Sequence, residues 1–421
     1  MIIPDELELS LDGIAQGGDG VGRYEGYVVF ARGALPGERV RLRVHERKSG
    51  YARGTVIELL DPSPDRIAPV VAAGDHTPWQ HVAYPAQLRL KERILREQLR
   101  QLGGLQDLPL DPIIAAPRPW GYRNTARLHV AGSLVGYHAA GSREVVPITA
   151  DPLLLPVLNE ALAHLHDLLT PGLLTGVTLR ASGAFGYSLA LLQPAPGADP
   201  DDLNLLASAW QARVPSLAGV VVSGPDPRWL ASGSGTTTLH EELAGVSFSL
   251  SPTSFFQVNL PQAARMVNLV CEALAPAPSR HLLDLYSGVG AFALPLAAAG
   301  AEVTAVEEHR DAVVDGRRSA QFNALTNVRF VQTPVERALP ALLGPFDGAL
   351  LDPPRRGCHP AVIQQLSTMR LPHLIYISCH PGILSRDLPP LLAAGYRLER
   401  LQPIDLFPQT PHIETLAFLR R

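Results

Sequence analysis

The chain begins with short runs in which apolar and polar positions alternate: LELSLDGIA, YVVFARGAL, ERVRLRVHERK and YARGTVIELL, divided by turns such as QGGDGVG. Alternation at period two marks strands with one buried face. Strands this short and this close predict a small antiparallel, OB-like barrel over residues 1–62. A proline-marked link, DPSPDRIAP at 61–69, ends it. The spacing in PAQLRLKERILREQLRQL predicts a helix at about 85–102. It carries a basic face, stops at Gly103 and Gly104, and is available to pack on the C-terminal domain.

Strand-like units return in YRNTARLHVAG, LVGYHAAG, GVTLRASG and GVVVSG, with PGADPDD at 196–202 as a loop. They predict a small central β-rich domain over 63–250. From 251 to 421 the pattern alternates between strand and helix, through HLLDLYSG, GAFALPLAAAGA, EVTAVEE, RDAVVDGRRSAQFNAL, VRFVQ, GALLDPP, HLIYISC and TLAFLR. That rhythm predicts parallel strands joined by helical crossovers, a doubly wound α/β domain.

A length of 421 residues exceeds what one core usually supports, consistent with three domains. The composition, 46% hydrophobic and 18% charged, is that of a folded chain. A net charge of −4 excludes a global basic field, so any nucleic-acid contact must come from local patches. One such patch is Arg39, Arg41, Arg43, Arg47, Lys48 and Arg53, with only Glu38 and Glu46 near in sequence. The spacing of two sets the first three on one strand face. Such a face is ordinarily just solvated; beside a catalytic domain it reads as a phosphate-contacting surface. Three cysteines exclude a disulfide framework. The N-terminus lacks the basic and apolar regions of a signal peptide, and no 18-residue apolar run is present. A cytoplasmic, monomeric protein without membrane partners is expected.

The segment LLDLYSGVGAF places Asp284 at a strand end and Gly288 and Gly290 in the turn that opens a helix. Glycines there let a ligand approach the backbone, and Glu307, closing EVTAVEE, suits ribose hydroxyls. A dinucleotide, a flavin or S-adenosylmethionine would each fit. The incomplete GxGxxG, with Phe292 and Ala293 following, favours adenosylmethionine, which presents no pyrophosphate. In ALLDPPRRG, Asp352 ends a strand before the rigid Pro353–Pro354 turn, with Arg355 and Arg356 as candidate phosphate partners. Cys271 lies inside an apolar helix and reads as a small hydrophobe. Cys379 follows a strand, where this fold borders its ligand crevice. Asp405, His412 and Glu414 gather in IDLFPQTPHIETLAFL.

Together these segments resemble the RNA 5-methyluridine methyltransferase family, which includes the 23S rRNA (uracil-5-)-methyltransferases and the tRNA T-loop uridine enzyme. The resemblance runs through LSLDGIAQGGDGVGRYEGYVVF, similar to a TRAM domain, then GYRNTARLHV, SPTSFFQVN, DLYSGVGAFALPLA, LLDPPRRG, YISCHPGILSRDL and DLFPQTPHIETL. It implies a Rossmann-like catalytic domain that binds S-adenosylmethionine through Gln257, Tyr286, Gly288, Gly290, Glu307 and Asp352. It further implies Cys379 as a nucleophile of lowered pKa that adds to uracil carbon-6, and Glu414 as the base that removes the carbon-5 proton. The implied partner is RNA, ribosomal first and tRNA second. An exocyclic amino-group methyltransferase and a non-catalytic RNA-binding protein are the other readings. Three positions depart from the family pattern: His380 and Ile383 replace its usual Asn and Thr, and Ala291 a frequent Asn. The four cysteines that hold an iron–sulfur cluster in many members are missing: VAAGDHTPWQHVAY and ITADPLLLP stand there, Asp151 at the last position. No metal or cluster is expected.

Overall fold

A computed structural model describes residues 3–71, 76–139, 141–224, 230–342 and 344–421. The first strands, β1 (Glu6–Ile14), β2 (Gly20–Tyr24), β3 (Tyr27–Arg32), β4 (Arg39–Arg47) and β5 (Tyr51–Asp61), close into a barrel in the order β1-β2-β3-β5-β4. The alternation works as expected, with Leu7, Leu9 and Leu11 meeting Val40, Leu42 and Val44 in the lumen. The outer face corrects the sequence reading. β1 lies antiparallel to β4, setting Glu6 opposite Arg43 and Glu8 opposite Arg41. Arg39 and Arg41 bind Glu8 at 2.8 and 3.1 Å, Arg41 also meets Glu58, and Arg43 binds Glu6 at 3.1 Å. Arg47 binds Asp5, Arg53 binds Asp19, and Lys48 binds Glu46. Apart from Glu46, the acids come from β1, β5 and the segments flanking β1, distant in sequence, so the face is charge-balanced, not a bare cationic grip. Exposed pairs of this kind add little to stability, because water and salt screen them. Glu38 is buried instead, accepting from the Leu35 and Ser63 amides and from Arg66.

Helix α1 (Tyr84–Gln101) starts at a proline-containing first turn. Ala86, Ile94, Leu95 and Leu99 enter the core formed with Leu283, Leu285, Leu351 and Leu384, so α1 belongs physically to the C-terminal sheet. Its basic face is only partial, because Lys91 is fully buried. Before α1, Trp79 is 1% exposed and donates from Nε1 to the Gly18 carbonyl at the barrel rim (3.3 Å). A Cβ on Gly18, whose φ is +90°, would lie 2.6 Å from that nitrogen and 3.0 Å from Pro411. Only glycine admits this approach.

The central unit holds β6 (Thr125–Ala131), β7 (Leu134–His138), β8 (Val145–Pro147), β9 (Leu174–Ala181), β10 (Ser188–Pro194), β11 (Leu217–Ser223) and β12 (Leu230–Gly235). They form one sheet in the order β12-β11-β10-β9-β6-β7-β8. Two helices that the strand reading missed, α2 (Pro156–Leu168) and α3 (Pro200–Arg213), pack Leu158, Leu162, Leu165 and Trp210 against Leu128, Val177 and Leu179. The PGADPDD segment is the start of α3: Asp199 caps it by accepting from the Asp201 amide, and Pro200 occupies the first turn.

The hairpin β13 (Leu239–Leu243) and β14 (Val246–Leu250) shares a core with α4 (Leu260–Leu274) and α5 (Ala293–Ala298), so we propose drawing the catalytic boundary before Leu239. Then follow β15 (His281–Leu285), β16 (Glu302–Glu307), α6 (Arg310–Phe322), β17 (Val328–Gln332), α7 (Val335–Ala338), β18 (Gly348–Leu351) and α8 (Pro360–Met369). The chain ends with β19 (His373–Ser378), α9 (Pro381–Ala393), β20 (Arg397–Ile404) and β21 (Glu414–Arg420). The sheet order is β17-β16-β15-β18-β19-β21-β20, with β21 antiparallel to both neighbours. Strand order reverses between β15 and β18, which is where open α/β sheets bind ligands. Among the described residues no helix is long and apolar enough to cross a membrane.

Candidate active site

Five strand ends meet at the carboxyl edge of this sheet. Asp284 sits one residue before the end of β15, Glu307 ends β16, Asp352 follows β18, Cys379 follows β19, and Glu414 opens β21, which runs back from the same edge. The ladder sets Thr415 opposite Ser378, placing Glu414 beside the turn that carries Cys379.

The turn after β15 is tightly determined. Tyr286 takes a left-handed φ of +64°, costing about 1–3 kcal/mol for a non-glycine. The Ser287 amide bonds Val306 (3.0 Å), and the Gly290 amide bonds Ser287 (2.8 Å). Glu307 accepts from the Gly288 and His309 amides at 2.9 and 2.8 Å. The Tyr286 ring packs into the core beside Cys358, leaving its main chain to shape the crevice. A Cβ on Gly288 would find no described atom within 4 Å, whereas one on Gly290 would lie 2.9 Å from Phe330. Gly288 therefore fronts open space and Gly290 a packed ring.

The electrostatics are dominated by buried acids. Asp284 is fully buried and makes no close hydrogen bond among the described residues; burial, then Asp352 and Glu307, hold its pKa well above normal against the pull of the nearby Ala293 amide. Burial lifts Asp352 to about 7. Glu414 is raised by burial and by Asp352, with Arg355 opposing. Burial, Glu414 and Asp352 push Cys379 up to about 11, again against Arg355. The lowered thiol expected from the family chemistry is thus not met here, because burial, joined by two carboxylates, outweighs one guanidinium. Arg355 is exposed and makes no hydrogen bond or ion pair among the described residues. His412 is exposed to solvent, and partial enclosure with the cationic Arg355, Lys91, Arg123 and His380 nearby lowers its pKa.

Gln257 lies on the loop before α4, its carbonyl accepting from Asn124 (3.0 Å), while the buried Arg180 clamps the Ser251 and Ser254 carbonyls of the same loop. Two residues ahead, Phe255 is 70% exposed, an aromatic surface that the sequence reading passed over. Its signal was the apolar pair in SFFQVN. His380 caps α9, its Nδ1 accepting from the Ile383 amide (3.2 Å). Ile383 packs against Gly357, and Ala291 against the core around Phe292. Asp151 is buried and accepts from the Tyr137 hydroxyl and the Leu153 amide, both at 2.8 Å. Residues 72–75 of the VAAGDHTPWQHVAY stretch lie outside the described residues. Among those described, no three ligating side chains gather as a metal site.

The fold and this crevice define a Rossmann-like methyltransferase joined to an OB-like barrel. A family model described as tRNA (Uracil-5-)-methyltransferase matches residues 242–421, and a TRAM domain model matches 5–57. An RNA methyltransferase of Thermosynechococcus vestitus, itself uncharacterized, is 38% identical over 98% of this chain and 97% of its own. A like-named protein of Gloeobacter violaceus is 34% identical over 99% and 96%. The chain belongs to the RNA 5-methyluridine methyltransferase family. In fold it is similar to the Pyrococcus abyssi tRNA (uracil-54, C5)-methyltransferase, solved with S-adenosyl-L-homocysteine: TM-score 0.78, 24% identity, 98% of this chain and 100% of that one.

Proposed function

We propose that the chain transfers a methyl group from S-adenosylmethionine to carbon-5 of a uridine in structured RNA. One observation carries the reading: Asp352 after β18, Cys379 after β19 and Glu414 at the start of β21 meet at one sheet edge, with Ser378 and Thr415 directly paired. Carbon-5 of uracil is too weakly nucleophilic to attack alone. The Cys379 sulfur adds to carbon-6 and moves electron density to carbon-5. Carbon-5 would take the methyl, leaving S-adenosylhomocysteine; the Glu414 carboxylate then removes the carbon-5 proton, the C–H electron pair re-forms the ring double bond, and the sulfur leaves as thiolate. Because the target atom lies in a stacked base, the nucleotide must be splayed out, and exposed Phe255 offers a ring to stack on.

The donor fits the crevice by its chemistry. Glu307 faces the turn as a hydroxyl acceptor, Gly288 leaves room, and the buried Asp284 carboxyl is one that a cationic ligand would draw back toward its ionised form. Bound there, S-adenosylmethionine supplies an electrophilic methyl. Replacing Gly288 with Ala is expected to weaken donor binding about tenfold, read by calorimetry, and to lower Tm only by the strain of its left-handed φ of +55°, with no clash added. Gly290→Ala should instead lower Tm by several degrees, through its clash with Phe330. Equal effects at the two sites would refute this division.

Arg355 is the one group that draws both Cys379 and Glu414 toward ionisation. The reaction needs thiolate, which predominates above the thiol's pKa, so removing Arg355 raises that pKa and demands higher pH. Arg355→Ala should shift the rising limb of the single-turnover pH–rate profile upward by about one unit, a loss of about tenfold at neutral pH. An unmoved limb would show that Arg355 serves RNA binding alone.

Ribosomal RNA, 23S, is the first reading of the substrate, resting on the barrel, which the family's bacterial tRNA enzyme lacks. A tRNA loop uridine is the second, favoured by the family model's description and by the Pyrococcus tRNA enzyme, whose fold covers nearly all of this chain. The test is labelled-methyl transfer into ribosomal and transfer RNA purified from cells lacking the gene. Label in 23S supports the first reading, label only in tRNA the second, and none in either would refute both.

A further inference from the structure

Residues 405–413 connect β20 to β21 and deliver Glu414, whose register partner is Ile404. This irregular stretch is mostly buried, so its polar groups must find partners within the protein. The partners come from outside the sheet. Lys91 of α1 donates to Asp405 Oδ1 (2.5 Å) and to the Phe407 carbonyl (3.0 Å), and the Tyr84 hydroxyl donates to Asp405 Oδ2 (2.8 Å). Gln87 exchanges two hydrogen bonds with Gln409, which holds a left-handed φ of +67°. The Lys91 and Asp405 side chains have no solvent exposure at all.

A fully buried ion pair is a poor device for stability alone, because desolvating two charges offsets most of their attraction. What it supplies is a single geometry, since no other position in a dry interior satisfies both charges. We infer that Lys91 and Asp405 are positioning residues that fix the loop so that the Glu414 carboxylate reaches the proton on the substrate's carbon-5. The inference rests on the reading of Glu414 as the base.

A loosened loop slows proton removal more than the steps before it. Sulfur addition at Cys379 proceeds, and the covalent RNA–protein adduct, denied its exit, accumulates. The neutral pair variant Lys91→Met/Asp405→Asn leaves no unpaired buried charge. It is expected to recover the Tm lost in either single variant while its ratio of adduct to released product, read on denaturing gels, rises at least about tenfold. The ratio is independent of the folded fraction. Should the pair variant fail to fold, Tyr84→Phe, which removes one hydrogen bond to Asp405 and the acceptor of the Ala116 amide, should raise the same ratio about two- to threefold. Adduct and product falling together would overturn the inference and leave a structural pair. Glu414→Gln is the benchmark: if it traps adduct and the pair variant does not, only the positioning role fails, whereas no trapping by Glu414→Gln removes the base and this inference with it.

Discussion

Cys379→Ala protein should lose labelled-methyl transfer into RNA by at least about ten-thousand-fold and form no covalent adduct, while keeping its Tm within a few degrees. The size follows from the chemistry: without sulfur at carbon-6, carbon-5 has no electron density to offer, and no neighbouring group replaces it. Cys271→Ser serves as control, since that thiol lies on α4 facing apolar neighbours of the core, and burial raises its pKa. Full activity in the Cys379 variant would move the protein to the exocyclic amino-group methyltransferases, which use an Asp-Pro-Pro turn without a cysteine.

Glu414→Gln should fall about a thousandfold in turnover yet accumulate adduct, separating it from the cysteine variant. Burial and Asp352 raise the pKa of this carboxyl, which strengthens it as a base once ionised, and Arg355 favours that ionised form. Glutamine keeps the shape and loses the lone-pair basicity, so addition survives and elimination does not. Adduct and turnover vanishing together would assign Glu414 to an earlier step.

Much of the architecture was legible because local periodicity controls it. The barrel strands alternate cleanly, and the switch between strand and helix after about 260 announced the parallel sheet. The positions of Asp284, Glu307, Asp352 and Cys379 at strand ends followed from that reading alone. What stayed hidden depends on residues distant in sequence. The arginines of β4 looked unpaired because their acids, Glu6, Glu8 and Glu58, arrive from β1 and β5. Lys91 looked like part of a wet basic face because its partner Asp405 lies at the far end of the chain. The thiol's acidity was misjudged since it reflects the sum of burial and two neighbouring carboxylates, none of it visible in YISCHPG. The start of α3 was taken for a loop because Pro200 and Asp199 carry turn and cap signals in the same letters.

The contact at Gly18 has a bearing on how this barrel has been, or can be, exchanged. Trp79 is wedged between the barrel rim and Pro411, in the same stretch that leads to Glu414. A foreign module grafted in its place would have to present a bare backbone at that spot. Any side chain there pushes on the indole, and through it on the stretch that leads to Glu414, so exchanging the barrel is coupled to the sheet edge through one missing methyl.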